Sequence, residues 1–241
     1  MSASEPGDVS RKVNFFNLPP EIHNEIYFLL VISPQPIKIC SPRSKVQIRR
    51  KVNPSNFCQL LCVNKQMNAE SAMMFYAVNT FTIGNGPFGS KSITNLHGLR
   101  AFIKRVPANH LSGIRTVGIE IHKRWFGGRK GFGTQLDAEN LHSITRALKK
   151  HFKRLEVVKF SYTTLDYWGS PFDGPRLTQT PLARELTKMF RTLLKISSLA
   201  RIEAYNQDDI DMKAVAEEIL KDTPAAEILK IAPQQTMEAT A

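Results

Sequence analysis

The amino-acid sequence predicts an α+β or α/β protein, with N-terminal helices packed on or next to a sheet built from repeating β–α units. Three observations lead there. Two stretches of helical apolar spacing occupy most of the first eighty residues, and after Asn95 helical and strand patterns alternate. Each later strand also opens on a related pattern: Ile114-Arg115-Thr116-Val117, Leu155-Glu156-Val157-Val158 and Leu199-Ala200-Arg201-Ile202. These lie 41 and 44 residues apart, a period that fits one helix plus one strand.

Residues 1–13 carry Glu5 and Asp8 and no apolar stretch, so they read as a disordered leader and not as a secretory signal. A first segment spans 14–84. Phe15-Phe16-Asn17-Leu18-Pro19-Pro20-Glu21 reads as a helix entry: aromatics to pack on the first turn, prolines whose fixed φ suits a helix start, and an acid at the positive end of the dipole. Ile22, Ile26, Leu29 and Leu30 then form one apolar stripe, and Ser33-Pro34-Gln35-Pro36 ends the helix. Ile37-Lys38-Ile39 predicts a short strand, followed by a basic, proline-punctuated loop to Asn56. A second helix is expected from Ser55 or Asn56 through Leu60, Leu61, Val63, Met67, Ala72 and Phe75 to Tyr76, and Phe81-Thr82-Ile83 predicts a strand.

The α/β region spans 95–222. Helices are expected over Leu96–Val106, Asp137–Phe152, Pro181–Ile196 and Asp209–Lys221, with strands over Ile114–His122, Leu155–Tyr162 and Leu199–Tyr205. Strands joined through helices usually lie parallel with right-handed crossovers. The result is either a small open sheet or a short, irregular layer resembling leucine-rich repeats, although that consensus itself is absent. Residues 223–241, with Pro224 and Pro233, read as a disordered tail.

Composition narrows the function classes. The chain has 241 residues, 42% of them hydrophobic, and a formal charge of +12. Its longest apolar run, Ile26 to Ile32, falls short of the roughly 20 residues that span a bilayer, so no membrane segment is expected. Three cysteines, Cys40, Cys58 and Cys62, are expected to be reduced thiols in the cytoplasm or nucleus. Cys58 and Cys62 would share a helix face, but no second ligand pair completes a metal site. The six histidines fall in no nucleophile or metal motif, and Gly127-Gly128-Arg129-Lys130-Gly131-Phe132-Gly133 lacks the spacing of a phosphate-binding loop. No enzyme, cofactor or metal is therefore predicted.

Two blocks of residues carry a family resemblance: Phe16-Asn17-Leu18-Pro19-Pro20-Glu21-Ile22 with Ile26-Tyr27, and Leu60-Leu61-Cys62-Val63-Asn64-Lys65-Gln66 with Glu70, Phe75-Tyr76 and Asn79-Thr80-Phe81. In that order they resemble the fungal F-box-like proteins, with Asn64-Lys65 standing where that family usually carries Cys-Arg. The resemblance covers about Phe15 to Ile83. It implies a helical element that docks on a Skp-type adaptor of a cullin ubiquitin ligase, through Leu18, Pro19, Ile22, Ile26, Leu60, Leu61 and Val63. The rest of the chain would then capture a protein substrate. Packing is the other reading of the same region, with Leu18, Ile22, Ile26, Leu60, Val63 and Phe75 forming the core by which the first helices meet the sheet.

A second function class rests on charge. Trp125, Phe126 and Phe132 interleave with Lys123, Arg124, Arg129 and Lys130, a mixture that can stack on bases and neutralise phosphates. Tyr167 and Trp168 fall in another loop after a strand, and loops after parallel strands gather at one end of a sheet. These residues are expected to form a partner-reading surface, for protein in an adaptor or for nucleic acid in a basic binding protein without catalysis.

Overall fold

The computed structural model describes residues 15–39, 62–84, 95–125, 134–166, 181–206 and 229–231. After a 3-10 turn at Phe15–Asn17 come α1 (Pro20–Val31), β1 (Ile37–Ile39), α2 (Lys65–Val78), β2 (Thr80–Ile83), α3 (Leu96–Arg105) and α4 (Ala108–Gly113). Then follow β3 (Thr116–Trp125), α5 (Thr134–His151), β4 (Val157–Asp166), α6 (Pro181–Leu193), β5 (Arg201–Asn206) and β6 (Leu229–Ile231).

The protein is an α/β fold in which the six strands form one parallel sheet whose spatial order, β1 to β6, is the chain order. Successive crossovers of one hand that always step the same way deposit their helices on the same side of a sheet. The core shows that arrangement. Phe81, Ile83, Val117, Ile119, Ile121, Val158, Phe160, Ile202 and Ala204 point to one face. There they meet Leu99 of α3, Leu111 of α4, Leu141, Ile144 and Leu148 of α5, and Leu186, Met189, Phe190 and Leu193 of α6. Phe160 and Phe190, for example, pack edge to face with ring centroids 5.3 Å apart.

The repeated opening pattern has a structural meaning. Ile114, Leu155 and Leu199 are buried under the sheet's starting edge, and Val117, Val158 and Ile202 three positions later are the first inward residues of β3, β4 and β5. The backbone N–H of each first residue donates to the carbonyl three residues back: Ile114 to Leu111 (3.3 Å), Leu155 to Phe152 (3.3 Å) and Leu199 to Ile196 (3.1 Å). One turn geometry, filled by the same apolar spacing, thus resets the chain from helix to strand three times.

Two buried asparagines join the layers. Asn95 caps α3 by accepting from the Gly98 N–H (2.9 Å) and donates to the Ile39 carbonyl of β1 (2.6 Å). Asn79, between α2 and β2, donates to the carbonyls of Val31 (2.9 Å) and Phe75 (2.9 Å) and accepts from the Ser33 N–H (2.7 Å). One amide therefore ties the ends of α1 and α2 together where the chain enters the sheet.

Several expected boundaries shift. The second helix begins at Lys65, because Asn64 caps it by accepting from the Met67 N–H at 2.8 Å, and Val63 lies in the preceding turn. The residues expected to open that helix, 55–61, lie outside the described residues. A short helix, α4, fills the span after Pro107 that the sequence reading leaves blank, and β3 and β4 run on to Trp125 and Asp166. Within the span expected to be a disordered tail, Leu229–Ile231 pair in parallel with β5. The last expected helix, over Asp209–Lys221, lies outside the described residues.

Replacing Asn79 with Ala leaves two buried carbonyls and an N–H without their amide partner. It is expected to lower the unfolding free energy, measured in urea, by on the order of 3 kcal/mol.

Candidate functional site

Among the described residues, helix α1 packs chiefly on α2. Its inward stripe is His23, Tyr27 and Val31, at i, i+4 and i+8, with Tyr27 fully buried. The 3-10 turn fixes that choice of face. Phe15 folds back to stack on His23 with ring centroids 4.5 Å apart, and His23 Nε2 donates to the Phe15 carbonyl at 2.6 Å. Leu30, Met67, Met74 and Phe75 close the small core around Tyr27 and Val31.

The stripe expected to face inward is therefore divided. Leu30 packs on this core and Ile26 is half-buried, but Ile22 is 45% and Leu29 71% exposed. Phe16, Phe28 and Ile32 are exposed as well, as are Val63 (60%), Met73 and Val78 on or beside α2. Every large hydrophobic side chain that is exposed among the described residues falls between residues 16 and 78.

Of the residues expected to face an adaptor, Ile22, Pro19 and Val63 are exposed and Leu18 is half-buried. Leu60 and Leu61 lie outside the described residues. Other residues of the two motif blocks are packing residues: Tyr27, Asn79 and Phe81 are buried and Phe75 is half-buried. Phe28, Leu29, Ile32, Met73 and Val78 are not among the expected site residues. The signal for them is that α1 is apolar nearly all round from Ile26 to Val31, while α2 covers only one side of it.

The expected partner-reading residues begin on a strand and not in a loop. Lys123, Arg124 and Trp125 are the last residues of β3, and Trp125 is in register with Asp166, the last residue of β4. The chain thus leaves both strands side by side at one end of the sheet. Phe126, Arg129, Lys130, Phe132, Tyr167 and Trp168 follow and lie outside the described residues.

The sheet face away from the helices is polar. Lys38, Thr82, Gly118, Lys159 and Glu203 form one row across five strands, with Glu120 and Ser161 in the next. Lys38 Nζ meets Glu120 Oε2 at 3.1 Å, and Glu203 is 3.9 Å from Lys159 and 2.6 Å from Arg201. Gly84 makes the first of these pairs fit, because a Cβ there would stand 2.7 Å from the Glu120 Cβ. Alternation such as Val158-Lys159-Phe160-Ser161 is the sequence signal for this one-sided sheet.

Among the described residues no cluster of three or more His, Cys, Asp or Glu side chains could hold a metal ion. No helix among them is long and apolar enough to cross a membrane. A polar depression at the start of α2 is lined by Cys62, Asn64, Lys65 and Asn68. A scan against protein-family models finds no match, and searches of curated proteins and of solved structures find none either.

The Tyr27 hydroxyl is buried without a hydrogen bond of acceptable geometry. Burial pushes its pKa from 10.0 up to about 12, and the neighbouring Glu70 carboxylate adds to the shift. An acid whose pKa is raised on folding favours the folded state below its ordinary pKa, and that contribution is lost as the pH climbs through 10 toward 12. Tyr27→Phe is expected to keep or raise the melting temperature at neutral pH and to lose less of it than the wild type between pH 9.5 and 11.5. Tyr27→Ala should cost about 3–5 kcal/mol.

Proposed function

We propose that the chain is a non-catalytic protein-interaction adaptor of the F-box-like kind, in which α1 and α2 dock on a Skp-type adaptor. The sheet layer and the loops beyond β3 and β4 would carry the substrate, making the protein a recognition subunit of a cullin-type ubiquitin ligase. The observation that carries this reading is the segregation of exposed apolar side chains. Ile22, Leu29, Val63 and Met73 and their neighbours concentrate on one helical pair, while the large apolar side chains described in the sheet layer are inside. Exposed apolar groups gathered in one region mark interaction surfaces, whereas single scattered ones need no explanation.

The order of the two motif blocks supports the same partner, and their exposed members, Pro19, Ile22 and Val63, sit on this pair or at its helix starts. The packing reading accounts for the remaining motif residues. Tyr27, Phe75, Asn79 and Phe81 build the junction that presents the exposed face, so the two readings divide the motif between them.

Co-purification of the chain with a Skp-type adaptor at moderate salt tests the proposal. Ile22→Asp/Leu29→Asp replaces two exposed side chains, so its melting temperature should stay near that of the wild type. Capture by the wild type and loss of capture by this folded variant is the expected result. Equal capture of both, or of neither, would sink the docking role of α1.

A further inference from the structure

Among the described residues, the end of the sheet where β4 and β5 begin is rich in cations, and it is the end opposite Trp125. Its turns are knitted together: the Arg154 N–H donates to the Ser112 carbonyl (3.2 Å), Glu156 to Arg115 (2.9 Å), Ala200 to Glu156 (2.8 Å), and the Ser198 hydroxyl to the Leu155 carbonyl (2.9 Å). From this fixed rim project Lys149 and Lys150 at the end of α5, Lys153 and Arg154 in the turn before β4, and Lys195 in the turn after α6. All five are exposed. None has an ion-pair partner among the described residues, where the acid at this rim, Glu156, faces Arg115 at 3.6 Å.

Helix capping does not account for them all. Cations in a last turn complement the helix dipole, which suits Lys149 and Lys150. Lys153, Arg154 and Lys195 lie just past the helix ends, and so many cations gathered at two helix C-termini repel one another beyond what the dipoles offset. The positive potential is felt locally: His151 is held below its ordinary pKa, first by burial and then by Lys150 and Lys153.

We infer that this rim is a binding site for the phosphate backbone of a nucleic-acid duplex, read without regard to sequence. It lies apart from the apolar face of α1 and α2 and does not depend on the adaptor reading. A protein partner would need apolar anchors, and among the described residues the turns before β4 and β5, from which these cations project, expose no large hydrophobic side chain. Single-stranded binders stack bases on aromatic rings, and the aromatic nearest the rim, Phe152, is fully buried. What remains is a cluster of exposed cations on a hydrogen-bonded rim, without ion-pair partners among the described residues, the chemistry that displaces counterions from a polyphosphate.

The test is fluorescence anisotropy of a short random-sequence DNA duplex, titrated with the full chain at several salt concentrations. The rim variant is Lys149→Glu/Lys150→Glu/Lys153→Glu/Arg154→Glu. The control, Lys65→Glu/Arg100→Glu, reverses the charge of exposed residues on α2 and α3, outside the rim. Wild-type affinity is expected to fall steeply with salt, and the rim variant to lose about tenfold or more, its log–log salt slope shrinking by about 3–4. The control should keep most of the affinity. Should the rim variant unfold, Lys150→Gln/Arg154→Gln serves instead, with a slope smaller by about 2. Three results overturn the site: a rim variant that binds like the wild type, a control that loses more than the rim variant, or poly-glutamate of equal charge competing as well as duplex.

Discussion

Every described helix that reaches the sheet does so from the same side, and the rest of the described structure follows from that constraint. Because the strands stand in chain order, each crossover steps in the same direction, and a single crossover hand then puts the described helices on one face of the sheet. That face takes Val, Ile, Leu and Phe, and the opposite face takes Lys, Glu, Thr and Ser, so each strand alternates. Parallel sheets are ordinarily covered on both faces and read as continuous apolar runs. Here the alternation marks a face on which none of the described helices packs.

The same constraint divides the surface into regions of different chemistry. Helix α1 packs on α2 beyond the edge of the layer, held by Asn79 and by the aromatic contacts of Phe15, His23 and Tyr27, and its outward side stays apolar. Along the layer, helix ends and strand starts fall at one rim and strand ends at the other. Basic residues that are dispersed in the sequence, such as Arg154 and Lys195, are gathered at the first rim by this winding. Neither juxtaposition follows from composition alone, since net charge says nothing about where charges meet.

Much of the layer is legible in the sequence because its determinants are local. The Leu155-Glu156-Val157-Val158 pattern encodes a turn and the first inward residue of a strand within four positions, and it recurs with each unit. The inward face of α1 was not legible in that way. Its apolar residues are compatible with several rotations about the helix axis, and the one adopted depends on Phe15 stacking on His23 and on the Asn79 amide reaching Val31 from 48 residues away. The start of α2 turned on a capping side chain, Asn64, that competed with an apolar pattern running through Val63. Likewise β6 is a three-residue strand whose pairing with β5 is a tertiary matter, and its composition resembles that of a tail.

Strand order that follows chain order also bears on how such a chain changes over evolutionary time. Each β–α unit rests chiefly on the units before and after it, so stability builds up from neighbour to neighbour and not through a single indivisible centre. A unit duplicated or deleted at the β6 end would lengthen or shorten the layer while leaving the junction at Asn79 intact. Lineages of this architecture can therefore vary the length of the sheet without rebuilding the helical pair at its start.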